Sequence, residues 1–135
     1  MAQTLFRGPV LQGKFNEGGV TGFNLEAKEA NYTVVNGDSG KTFTSKTKDV
    51  VFTLPAISIG RVFTFVNTAA DGLNNLTISP NAADGILYDG SLTDNKDIIN
   101  TQTTSKVGDY IVCASLNSAD FWTVVAVQGV FAKEA

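Results

Sequence analysis

No histidine occurs among the 135 residues. Ser–His and Cys–His nucleophile pairs and most zinc and transition-metal centres use imidazole, so those chemistries are excluded together. There is one cysteine, Cys113, and therefore no intrachain disulfide. It lies in the apolar run Tyr110–Ala114 and reads as a small buried hydrophobe in a chain that folds in a reducing cytoplasm. Charge is scarce: 17% of residues, against a usual ~25%. The net charge is −3, the only arginines are Arg7 and Arg61, and the lysines are scattered, so no basic face is available to nucleic acid. No apolar run approaches the ~18 residues of a membrane span. The start, Met1 to Pro9, lacks the basic region and apolar block of a signal peptide.

What is present is β-rich. The length suits one domain with a core of its own. Tyr32 to Pro55 reads as a β-meander: Tyr32–Val35, a dense turn at Asn36-Gly37-Asp38-Ser39-Gly40, a short strand at Lys41–Thr44, and a longer one at Asp49–Leu54 that stops at Pro55. Further strands are expected at Arg61–Val66, Leu76–Ser79, Ile86–Tyr88, Lys96–Thr104, Tyr110–Leu116 and Phe121–Val127. The last two flank a four-residue loop, Asn117–Asp120, and form the clearest hairpin. In Arg61–Val66 both faces look covered. Eight or nine short strands at this spacing predict an all-β fold, an antiparallel β-sandwich of jelly-roll-like form, over residues 31–135.

Residues 1–30 differ. Gly8, Gly13, Gly18, Gly19 and Gly22 interrupt Leu5, Phe6, Val10, Leu11, Phe15, Val20, Phe23 and Leu25, which keep no steady period. That pattern breaks a helix and fits an extended arm with several apolar anchors. A solvated linker would not carry three phenylalanines, so the arm is expected to lie on its own domain or on a neighbouring subunit. Leu25–Ala30 is the one locally helix-friendly piece, a turn or two at most.

The catalytic-looking motifs resolve to turns. Gly37-Asp38-Ser39-Gly40 matches the serine motif of trypsin-like proteases, but no histidine exists to act as its base. Gly40-Lys41-Thr42 matches the end of a P-loop. That motif needs glycine where Val35 stands, and a following helix where a strand is expected. The carboxylates Asp84, Asp89, Asp94 and Asp97 do not have EF-hand spacing, and Asp-Gly is an ordinary turn pair. Asn31-Tyr32-Thr33 and Asn75-Leu76-Thr77 are chance sequons without a secretory signal. Trp122 could stack on a sugar, but its apolar hairpin favours core or interface. No catalytic residue, metal site or cofactor is expected.

The succession Tyr32-Thr33-Val34, Asp38–Phe43, Val51–Pro55, Gly60, Phe63–Asn67, Leu76–Pro80, Val107-Gly108-Asp109 and Phe121–Val125 with Gly129 resembles a β-sandwich module of tailed-bacteriophage structural proteins. Such modules occur in capsid decoration (cement) proteins and in tail-fibre or receptor-binding proteins. The resemblance covers residues 32–129, implies a homotrimer and carries over no catalytic residue. A free-standing chain with an apolar arm and no heptad or β-helical repeat fits the decoration role better. It implies a virion protein on the capsid surface, assembled in the host cytoplasm, with the major capsid protein as partner. The contacts would be made by Leu5, Phe6, Arg7, Val10, Leu11, Phe15 and Phe23. The alternative is a module recognising host surface glycan through Asn67–Asn75 or Asp89–Asn95.

Overall fold

A computed structural model describes residues 24–135; Leu5, Phe6, Arg7, Val10, Leu11, Phe15 and Phe23 lie outside the described residues. Among the described residues eleven strands occur in order: β1 Leu25–Ala27, β2 Tyr32–Thr33, β3 Thr42–Ser45, β4 Val50–Thr53, β5 Val62–Asn67, β6 Leu76–Ser79, β7 Gly85–Leu87, β8 Ile98–Asn100, β9 Asp109–Ala114, β10 Phe121–Gln128 and β11 Ala132–Lys133. They form two packed sheets. One has the order β1-β3-β5-β9-β10-β7, the other β11-β8-β6-β4-β2. The all-β sandwich expected from the sequence is present.

Its pairing is not the antiparallel, jelly-roll-like one. From β1 to β9 each successive strand crosses to the opposite sheet. A strand therefore meets its sheet neighbour only after a full circuit, travelling the same way. β1, β3 and β5 pair in parallel, as do β2, β4 and β6. Tyr32 to Pro55 is thus no meander: β3 leaves for the other sheet, and β2 pairs with β4. The Asn36–Asp38 segment is a short 3-10 helix on that crossing. The second half of the chain closes the coil, with β8 antiparallel to β6, β9 antiparallel to β5, and β10 folded back on β9 in the expected hairpin. β7 then adds in parallel to the start of β10.

Two shorter expectations also change. Leu25–Ala27 is a strand, because six residues nucleate a helix poorly while β3 offers a ladder. Of Lys96–Thr104 only Ile98–Asn100 is strand; Thr101 and Gln102 carbonyls accept the turn bonds of Thr104 and Ser105.

The core lies between the sheets. Parallel, in-register pairing puts Phe43 beside Phe65 in one sheet and Tyr32 beside Phe52 in the other. The four rings meet as a ladder, with centroids 4.9–5.7 Å apart in successive contacts. Trp122 packs on Phe63 at 5.5 Å, and both are fully buried, as is Cys113. Trp122 is therefore core, not a sugar platform.

One end of the sandwich is joined by a buried polar chain. Asn67 Nδ2 donates to Asn100 Oδ1 at 2.9 Å, and Asn100 Nδ2 donates to Asp109 Oδ2 at 2.9 Å and to the Val130 carbonyl at 3.0 Å. These groups link β5, β8 and β9 across the two sheets. Buried polar groups persist when so satisfied.

Candidate interaction surface

Register partners share a face of their sheet, so the outward residues follow from the pairing. On the six-stranded sheet one row runs Leu25, Thr42, Thr64, Val112, Ala126, and the next Ala27, Thr44, Val66, Tyr110, Gln128. Val62 and Thr123 flank Ala114 in a third. None of these positions carries a charge. The other sheet's outward rows, Thr33, Thr53, Ser79 and Val51, Thr77, Ile99, Ala132, are uncharged too. Solvated faces of sandwiches usually alternate apolar-in with polar or charged-out. Here threonine and valine replace the charges, and among the described residues most of the charged ones lie in the connections.

A groove of about 530 Å3 crosses the first face. Leu25, Thr42, Thr64 and Val112 form its length; Thr44, Val66, Thr68 and Tyr110 complete its wall. A second hollow, about 520 Å3, lies against the far half of β10, between Val124–Val127 and Tyr88 and Asp89. There β7 no longer pairs with β10, and a bulge between Val124 and Ala126 turns Val125 outward.

The β1 rim of the groove is fixed by charge. Glu26 accepts from Lys28 at 2.5 Å and from Lys41 at 2.9 Å, and these hydrogen bonds hold its carboxyl below the usual range. Lys41 also reaches Asp38 Oδ1 at 2.9 Å; the Asp38 and Glu26 bonds raise its ammonium above the ordinary lysine value. Asp38 Oδ2 accepts from Tyr32 Oη at 2.8 Å and from the Val35 N–H at 3.1 Å. Burial pushes the Asp38 carboxyl up, but the bonds from Lys41, Val35 and Tyr32 together leave it below its ordinary value. Lys28 Nζ sits 3.9 Å from the Tyr32 ring centroid. Glu29 then takes the Lys46 and Thr47 N–H groups and the Thr47 hydroxyl, with the Thr47 N–H chiefly lowering its carboxyl.

The motif residues have structural partners. The Ser39 hydroxyl accepts the Val62 N–H at 3.1 Å, and Asp84 Oδ2 accepts the Ile57 N–H at 3.0 Å. Among the described residues no three of His, Cys, Asp and Glu gather as metal ligands, and no helix is long and apolar enough to cross a membrane. In the Asn67–Asn75 loop, Asn67, Ala69 and Asn74 are buried, and Asp71 accepts the Val107 N–H at 2.9 Å. In Asp89–Asn95 the exposed large side chain is Leu92.

The sequence-expected contact residues Leu5, Phe6, Arg7, Val10, Leu11, Phe15 and Phe23 lie outside the described residues. The groove itself was not anticipated. Its signal was the alternation Thr42/Thr44, Thr64/Val66, Tyr110/Val112, uncharged at each outward position. No protein-family model matches the sequence, and no curated protein matches it.

Proposed function

We propose that the protein is a non-enzymatic virion structural protein, a capsid decoration protein of a tailed phage. It would act as a homotrimer that stabilises the head by contact with the major capsid protein. The observation that carries the reading is the absence of charge on both outward faces of the sandwich. A chain packed among neighbours gains from such faces, whereas one surrounded by water usually places lysine and glutamate there. The resemblance of residues 32–129 to phage sandwich modules, and the apolar anchors Leu5, Phe6, Val10 and Leu11, point the same way. Burying even 400 Å2 of apolar surface per arm is worth roughly 10 kcal/mol gross at ~25 cal/mol per Å2, before ordering costs. Three arms on one trimer would add avidity.

The test is occupancy on capsids assembled without the protein, read by electron cryomicroscopy after adding purified chain. Wild type should fill sites on the head surface. The double variant Phe6→Asp, Leu11→Asp should lose at least tenfold in apparent affinity with its circular dichroism unchanged. Equal occupancy by the variant would remove the arm from the mechanism. Absence of wild-type binding to heads would remove the reading altogether.

A further inference from the structure

The groove on the six-stranded sheet needs an occupant, and the geometry of the chain supplies one. The described chain begins at Asn24, whose carbonyl accepts the Thr42 N–H at 2.9 Å, so the β1–β3 ladder runs to its very start. The next residue, Leu25, lines the groove. Residues 1–23 therefore join the fold at the groove's rim, at a point held by the Glu26–Lys41 and Glu26–Lys28 pairs.

Length is ample. From β1 across to β10 is four strand spacings, roughly 19 Å, which about six extended residues cover. The chemistry also matches. Within residues 15–23 the one charge is Glu17; Gly18-Gly19-Val20-Thr21-Gly22-Phe23 carries none, and neither do the groove walls. Its three glycines allow the chain to reverse over the sheet, a conformation closed to most other residues. A volume of about 530 Å3 suits a few residues of one extended chain. Among the described residues eight side chains line the groove, whereas each partner in a stable protein complex presents about 20–30 residues. A second copy's sheet is the poorer fit.

We infer that the groove is the docking site for residues 15–23 of the same chain, with Phe15, Val20 and Phe23 as the buried anchors. The arm then has two parts. The stretch nearest the sandwich is seated on its own sheet, and the part carrying Leu5, Phe6, Val10 and Leu11 is left to project. This holds for the isolated protein and does not depend on the capsid reading.

Disulfide trapping in the full chain tests it. Val20→Cys is combined with Thr64→Cys, and the protein is oxidised at low micromolar concentration and mapped by mass spectrometry. The native Cys113 stays out of the exchange, since it is fully buried and burial pushes its thiol up to about 12. An intrachain link between the two introduced thiols in most molecules is the expected result. A link formed only between chains assigns the groove to a second copy and overturns the inference, as does the absence of any link. Hydrogen exchange gives an independent readout. Thr64→Lys, at a half-exposed position, should speed exchange of the amides of residues 15–23 at least tenfold while β5 and β9 stay protected. Unchanged exchange in that segment would equally sink the idea.

Discussion

Asp38 shows how much one residue of a turn can hold. Its carboxylate is nearly buried and ties Tyr32, Val35 and Lys41 together, joining the two sheets at the coil's first circuit. Asp38→Ala should cost on the order of 1–2 kcal/mol after allowing for solvent screening of the lysine pair, measurable by urea unfolding. The pH dependence follows from the direction of the shifts. Glu26, Glu29 and Asp38 are held low, so their stabilisation is complete above the ordinary carboxylate range and is lost as pH falls through the lowered values. Lys41 is raised by Asp38 and Glu26, and Tyr32 by its bond to Asp38. Their contribution is complete below the ordinary values and lost as pH rises past them. Tm should be flat between about pH 5 and pH 9 and fall on both sides, and the Asp38→Ala deficit should shrink in acid. Gly129 offers a sharper case. Its φ is +100°, and a Cβ there would collide with the Asp109 carboxylate. Gly129→Ala should destabilise by more than ~1 kcal/mol and disturb the Asn67–Asn100–Asp109 chain, visible as faster exchange of the β8 amides. The sequence identified the turn at Asp38. Its bonding hub was hidden, because Tyr32 and Lys41 become its neighbours only through the 3-10 helix.

At the scale of the element, the strands were legible and their partners were not. β-branched and aromatic runs bounded by glycine and proline located β3 to β6, β9 and β10 closely, since local fit to a pleated surface leaves a local mark. Pairing leaves no such mark here. Leu25 pairs with Thr42, Thr42 with Thr64, Tyr32 with Phe52 and Val50 with Leu76, at uneven separations that no fixed period would reveal. The one short-range pair, β9 with β10, was also the one read correctly. The aromatic ladder is the energetic expression of the parallel register. Phe52→Ala removes a fully buried ring that touches Phe43 and Phe65, and should cost about 3–5 kcal/mol by chemical denaturation. Phe52→Leu should keep most of that, because volume is nearly retained.

For the whole molecule, the distribution of charge matters more than its total. A low charged fraction was visible in the composition. That the deficit falls on the two broad faces emerges only from the register. If those faces and the apolar arm carry association, binding to capsids should depend weakly on salt. Raising NaCl from about 50 mM to about 500 mM should change the apparent affinity less than threefold, well below the loss an ion-pair-driven contact would suffer. A steep salt slope would shift the contact to the charged loops instead.

The crossing of successive strands between sheets also bears on how the chain is made. Among the described residues, no two strands before β9 that adjoin in sequence pair with each other: apart from the local bridges Tyr88–Ser91 and Gly85–Asp94, every earlier ladder joins segments separated by a strand of the other sheet. As synthesis proceeds, the first half emerges with no local ladder to form, and β5 and β6 wait for β9 and β8 to close them. The one hairpin between sequence-adjacent strands, β9 with β10, is nearly the last to be synthesised. Folding is then a late, concerted event governed by distant contacts, on the millisecond-to-second scale of such topologies rather than in microseconds. A nascent chain stalled short of Ala114 would lack β5's complete partner strand and be a target for chaperones.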